Sequence, residues 1–112
     1  MKIDTRRLAG ERVAAVSGRI DLRSAPELRD TAMAALAAGN GVLVLDLSAV
    51  EFIDSSGLGV LIGLERESQR LHGRLVLVPP TGSAAQIFVL TRTESFFRIA
   101  ASEEDGRAAI AA

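Results

Sequence analysis

Two short aliphatic runs, Val42-Leu43-Val44-Leu45 and Leu75-Val76-Leu77-Val78, constrain this chain more than any other feature. Near-continuous apolar stretches of this length, bounded by turn residues, are how central strands covered by other elements read. Between them, from about Ser56 to His72, apolar residues recur at helical spacing, with Gly73 expected as the C-cap. A strand, a returning helix and a second strand make a parallel crossover, and such crossovers are right-handed. The rest of the chain extends the pattern. Ile3 to Leu8 and Glu11 to Ser17 read as extended segments of a hairpin around Ala9-Gly10. Ser24 with Glu27 forms a capping box and Pro26 suits a first turn, so a helix should begin at Ser24 and bury Leu28, Ala32 and Leu36. Gly39-Asn40-Gly41 should end it. Ser48 to Asp54 reads as a connection, Ser83 to Leu90 as a short helix after Pro79-Pro80, and Phe97 to Ile99 as a brief edge strand. Ser102 followed by Glu103, Glu104 and Asp105 should start a last helix, the acids matching its dipole. The order predicts an α/β fold, a small mixed sheet with helices packed against it.

Composition narrows the chemistry. The 112 residues suit one domain, 1–112, and its core must be aliphatic, with four Phe and no Trp or Tyr. There is no cysteine, which excludes disulfides, thiolate metal sites and cysteine nucleophiles. A lone histidine, His72 beside Gly73, reads as a helix-terminal surface residue and leaves no general base or metal set to assemble. No metal, cofactor or catalytic group is expected. The formal charge is −1 and the arginines are scattered, so no basic face concentrates nucleic acid. No apolar run approaches a membrane span, and Met1-Lys2-Ile3-Asp4 lacks the apolar core of a signal peptide. The chain reads as cytoplasmic, a monomer or weak dimer.

The most informative stretch is Val50 to Gly59, which passes from a strand into a helix through Asp54, Ser55, Ser56 and Gly57. Asp54 and Ser55 are both good N-caps. The same geometry offers a hydroxyl at a helix N-terminus, where free N–H groups and the helix dipole accommodate a phosphate carrying roughly −1.5 to −2 charges. Spacing alone leaves Ser55 and Ser56 both open. Beyond them, Leu61, Leu64, Ser68 and Leu71 can share one buried stripe, while Val60 and Ile62 project elsewhere and Leu58 stands at the helix end. That distribution means either burial on several sides or a contact patch. A patch centred on Leu58, with Ile62 one turn on and Gly57 and Gly59 admitting a partner's backbone, is the expectation for an interface. Gly57-x-Gly59 with Gly63 also allows a phosphate-cradling turn, though the spacing is neither the dinucleotide fingerprint nor a P-loop.

Ile53-Asp54-Ser55-Ser56-Gly57-Leu58-Gly59 resembles the signature of STAS domains, specifically of anti-sigma factor antagonists. Gly18-Arg19-Ile20-Asp21, Leu45-Asp46-Leu47-Ser48 and Gly73-Arg74-Leu75-Val76-Leu77-Val78 are similar to further family segments. The resemblance implies a mixed sheet of four to five strands with about four helices, packed mainly on one face. It implies a protein whose unmodified form binds an anti-sigma factor that is also a serine kinase, freeing a sigma factor. The phosphorylated residue would be Ser56, with Ser55 the alternative, and a metal-dependent serine phosphatase of the PP2C type would reverse the modification. Asp21 would lie near Ser56 and face the kinase, and the partner surface would comprise Asp21, Asp54, Ser55, Gly57, Leu58, Gly59 and Ile62. The chain would be a substrate and not an enzyme, and the ATP would belong to the kinase. Arg92 stands near a position where family members often carry glycine, which bears on the local backbone and on partner identity. The alternative implied by the family is a stand-alone STAS subunit or nucleotide-binding regulator in another assembly, such as a lipid-transport complex.

Overall fold

The chain opens with a hairpin because Ala9 and Gly10 both take positive φ, 51° and 92°, the twist that a two-residue turn between right-twisted strands demands. A computed structural model, describing residues 1–111, shows its arms as β1 (Lys2–Leu8) and β2 (Glu11–Ile20), paired antiparallel from Lys2↔Ser17 to Leu8↔Glu11. Then come α1 (Ala25–Ala38), β3 (Val42–Ile53), α2 (Ser55–Arg70) and β4 (Arg74–Val78). A 3-10 turn leads into α3 (Gln86–Leu90), and the chain ends in β5 (Arg98–Ile99) and α4 (Glu103–Ala111). The five strands lie in the order β1-β2-β3-β4-β5, with all pairs after the hairpin parallel. The expected mixed α/β architecture is the one observed.

Alternation along the strands sorts the core into two layers. Ala14, Val16, Leu43, Leu45, Leu75 and Leu77 point to the face covered by α1 and α2, where Leu28, Ala32, Leu36, Leu61 and Leu64 complete the main cluster. Val13, Val44 and Val78 point to the opposite face, where Ile110 of α4 packs against them. Helices thus lie mainly on one face, with α4 on the other. Among the described residues no helix is long and apolar enough to cross a membrane.

Three expectations need correction. The segment Ser48 to Ile53 is not a connection: β3 continues through it and pairs with β2 as far as Ile20↔Ile53. Its polar residues read as a loop because this half of the strand has solvent on one face, Ser48, Ala49 and Glu51 being exposed. Ser24 occupies the N-cap position of α1 without capping it. Its hydroxyl donates to the Arg19 carbonyl at 2.9 Å and accepts from the Asp21 N–H at 3.0 Å.

Finally, Gly73 is not the left-handed residue that closes α2; His72 is, at φ 57°. The His72 N–H bonds to Gln69 O and the Gly73 N–H to Ser68 O, the paired bonds of a Schellman ending. The helices α1 and α3 close the same way, with Asn40 and Arg92 at φ 55°. The position where glycine was expected in the family therefore does require a left-handed backbone, here imposed on arginine. Arg92→Gly should raise stability by about 0.5–1 kcal/mol, the relief of the left-handed penalty less glycine's extra unfolded-state freedom. Urea titration would check this, and a loss of stability would mean that the arginine side chain outweighs its backbone.

Candidate functional site

The parallel strands β2 and β3 end side by side, and the segments that leave them, Asp21 to Ser24 and Asp54 to Gly57, form the site. The Asp54 N–H continues the sheet by donating to the Ile20 carbonyl at 3.1 Å, which fixes the start of α2 against the end of β2. Asp54 itself is extended, with φ −102° and ψ −173°, and its Oδ1 accepts from the Gly57 N–H at 3.1 Å. The N-cap reading of Asp54 is correct, and it leaves Ser55 and Ser56 as the first two residues of the helix, where backbone N–H groups have no intrahelical partner. Among the described residues neither serine hydroxyl is engaged in a hydrogen bond. Ser55 is exposed and Ser56 half-buried, so access alone does not separate them.

Asp21 directly succeeds the last residue of β2 and so shares this edge with Asp54. Its Oδ1 accepts from the backbone N–H groups of Arg23, at 3.0 Å, and Ser24, at 3.2 Å. Those amides precede α1, so Asp21 orders the turn that leads into the helix, and no side chain caps the first turn itself. The Ser24 N–H bond above all, with lesser help from the Arg23 N–H and the Arg19 charge, holds the Asp21 carboxyl below its ordinary value against desolvation, the second-largest effect. Asp21 is therefore ionised at neutral pH. Arg19 in turn lies over the Phe52 ring, 4.2 Å from its centroid, which keeps its charge at the strand ends.

The interior of the site differs from the sequence expectation at two residues. Gly57 is buried, and a Cβ placed on it would meet Ile20 Cγ2 at 2.6 Å, Ile53 Cγ2 at 2.9 Å and Ile20 O at 3.2 Å. Its missing side chain lets the first turn of α2 press onto β2 and β3, so the close approach is internal and not one made by a partner. As a result Leu58 is carried into the core, with only 6% of its surface exposed. The exposed patch centred on Leu58 does not exist. Val60 and Ile62 are half-buried at its edge, which resolves the apolar excess of α2 as burial on more than one side. Gly59, by contrast, is exposed, with nothing within 4 Å of an added Cβ. Leu61, Leu64 and Ser68 form the buried stripe, and the Ser68 hydroxyl donates to Gly41 O at 2.7 Å.

Leu22 was missed. It is 75% exposed in the turn beside Asp21, on the same edge as the serines. The available signal was a large aliphatic residue between two charged ones, Asp21 and Arg23, in a segment with no apolar periodicity to bury it.

Comparison with known proteins agrees with this architecture. Residues 2–106 match the family model described as STAS domain. The anti-sigma-B factor antagonist of Bacillus subtilis is 32% identical over 91 residues, covering 81% of this chain and 83% of its own. An anti-sigma factor antagonist from Mycobacterium paratuberculosis superposes with a TM-score of 0.86 at 29% identity, over 99% of this chain and 94% of that one. The phosphorylated form of the Bacillus cell fate determinant SpoIIAA superposes with a TM-score of 0.72, over 97% and 99% of the two chains. Its 21% identity speaks for a shared fold alone. With the sheet order, the Asp54-capped helix and a family match over nearly its whole length, this chain belongs to the STAS domain family.

Proposed function

We propose that this protein is an anti-sigma factor antagonist whose unmodified form binds an anti-sigma factor with serine kinase activity, and which phosphorylation of Ser56 turns off. What supports the reading is a serine hydroxyl with no hydrogen bond among the described residues in the first turn of α2, a turn that the Asp54–Ile20 bond sets at the end of β2, the strand that Asp21 follows. The names of the relatives supply the partner class. A phosphate on Ser56 meets the unbonded N–H groups of the helix start and not the core, so the fold tolerates the added charge. A partner surface docked over the same edge meets an unmatched dianion that must lose hydration, and is released. The contact surface in this reading comprises Ser55, Ser56, Gly59, Asp21, Leu22 and the outer part of Ile62, while Asp54, Gly57 and Leu58 shape it from within. The chain acts as the substrate of the kinase and of a PP2C-type phosphatase, and is not itself an enzyme.

A pull-down from extract of the source cells, with unmodified and Ser56→Glu baits, tests this. The unmodified bait should retain an anti-sigma factor that the Ser56→Glu bait loses. In the presence of ATP that partner should add one phosphate, mapped to Ser56 by mass spectrometry and absent from Ser56→Ala. Phosphate confined to Ser55, or undiminished labelling of Ser56→Ala, overturns the assignment.

A further inference from the structure

The two edges of the sheet differ. At one, β5 contributes only Arg98 and Ile99. At the other, β1 offers seven residues, Lys2–Leu8, whose strand pairing among the described residues is with β2 alone. An open strand edge carries a row of free N–H and C=O groups that a second strand can satisfy. Which groups are free follows from the hairpin. A two-residue turn with positive φ at both positions closes on a hydrogen-bonded pair, here Leu8 with Glu11. The register continues from there to Lys2↔Ser17 without a shift, so hydrogen-bonded and unbonded pairs alternate. Leu8, Arg6, Asp4 and Lys2 therefore turn their backbone groups to β2, while Ile3, Thr5 and Arg7 turn theirs to the open edge.

Charged side chains ordinarily guard such an edge against a second strand. On β1 their order favours one arrangement. A second copy laid antiparallel about a two-fold axis at Thr5 sets Thr5 against Thr5, Ile3 against Arg7 and Asp4 against Arg6. The Thr5 pair and both Ile3–Arg7 pairs exchange their hydrogen bonds through the backbone groups that already face outward. Both Asp4–Arg6 pairs fall at the unbonded positions, where facing side chains come closest and opposite charges attract. Asp4 and Arg6 are exposed, and two residues apart they lie on the same face of the strand. Arg6 also meets Glu103, while Asp4 reaches only Lys2, at 4.0 Å, in a contact between exposed groups that holds little. Moving the axis spoils the match. At Arg7 it sets two guanidinium groups against each other, and at Ile3 it leaves Arg6, Arg7 and Leu8 without a facing strand.

We propose that β1 is a self-pairing edge, through which two copies of this chain join antiparallel about Thr5 into one continuous sheet. The occupant is a second copy because the charge order of β1 is complementary to itself under that two-fold and under no shifted one. The axis stands perpendicular to the sheet, so α1 and α2 of both copies lie on one face and α4 of both on the other. Asp21 follows β2 and Asp54 follows β3, and both strands run antiparallel to β1 within each copy. The two-fold reverses that direction between copies. Their serine-bearing helix starts therefore sit at opposite ends of the joined sheet, and neither is covered by the pairing.

Sedimentation equilibrium of the full chain from about 10 μM to about 1 mM, a range suited to a small interface, reads the association. The mean mass should rise toward that of two chains. Thr5→Pro removes an outward N–H that β2 does not use, and proline is tolerated at such places on edge strands. It should remain folded by circular dichroism melting and stay a single chain at every concentration. Thr5→Val keeps that N–H and should associate as the unmodified chain does. Asp4→Arg sets like charges against each other at both unbonded pairs and should weaken association about tenfold or more. It carries the test if Thr5→Pro does not fold. A single-chain mass throughout the range, a pairing that survives in folded Thr5→Pro, or one indifferent to Asp4→Arg overturns the proposal.

Discussion

Leu58→Ala should destabilise the protein by about 2–5 kcal/mol, the range for emptying a well-packed leucine site. For a chain of this length, that lowers the melting temperature by more than about 10 °C. The side chain sits in the main core cluster with Ile20, Ile53 and Leu61, so its removal leaves a cavity beneath the first turn of α2. Melting by circular dichroism is the measurement. A shift below about 2 °C, within the range of an exposed surface substitution, would return Leu58 to the surface and make it a contact residue. The distinction matters for reading any binding assay. If Leu58→Ala weakens a partner, the cause is a displaced Ser56 and not a lost contact.

The second large effect is expected one residue earlier. Gly57→Ala places a methyl 2.6 Å from Ile20 Cγ2 and 3.2 Å from the Ile20 carbonyl. The isoleucine is fully buried and cannot swing away, so the helix start must lift from the strands, at a cost of about 1–3 kcal/mol. Gly59→Ala is the matched control, since it adds the same methyl two residues on, into open space. It should gain up to about 1 kcal/mol from helix propensity. The two variants separate the roles of two glycines that look alike in the sequence: Gly57→Ala should lower the melting temperature, whereas Gly59→Ala should spare it and weaken only the association with a partner. A Gly57→Ala variant as stable as the unmodified protein would mean that the first turn of α2 is not seated on Ile20 and Ile53.

That pair also marks where sequence reasoning reached its limit. Features governed by neighbours along the chain were legible: the Ala9-Gly10 hairpin, the Leu28, Ala32 and Leu36 stripe of α1, Asp54 as a cap, Ser102 as the start of α4, and the aliphatic strands. Each comes from local backbone preference or from the period of apolar residues. The failures all depend on what lies across the fold. The second half of β3 looks like a loop because its polar residues face open solvent while Val50 and Ile53 alone are buried. Gly57 looks free for a partner because nothing nearby in sequence announces Ile20, some 37 positions away (57 − 20). Ser24 satisfies the capping-box pattern, yet its hydroxyl is drawn to the Arg19 carbonyl and the Asp21 amide at the end of β2, and caps no first-turn amide. The site motif was legible as a motif, but which of its residues face outward was decided by the strands beneath it.

The strand order has a consequence of a different kind. Each strand pairs with the next one in sequence, β1 with β2 through to β4 with β5, so no strand has to be inserted between two that are already joined. The hairpin closes over a two-residue turn, and every later strand is added to one edge after a single helix or short crossover. The parallel pairs still join distant residues, as Val13 with Val44 and Val42 with Arg74, so each addition must close a loop before its contacts reward it. During synthesis the sheet grows from its first edge as the polypeptide emerges, the growing rim always being the strand made last. The serines become part of a seated helix only when β3 has been laid against β2, because the Asp54 amide bonds to Ile20. A nascent chain therefore cannot present these serines on a seated helix until β2, β3 and the first turn of α2 are in place.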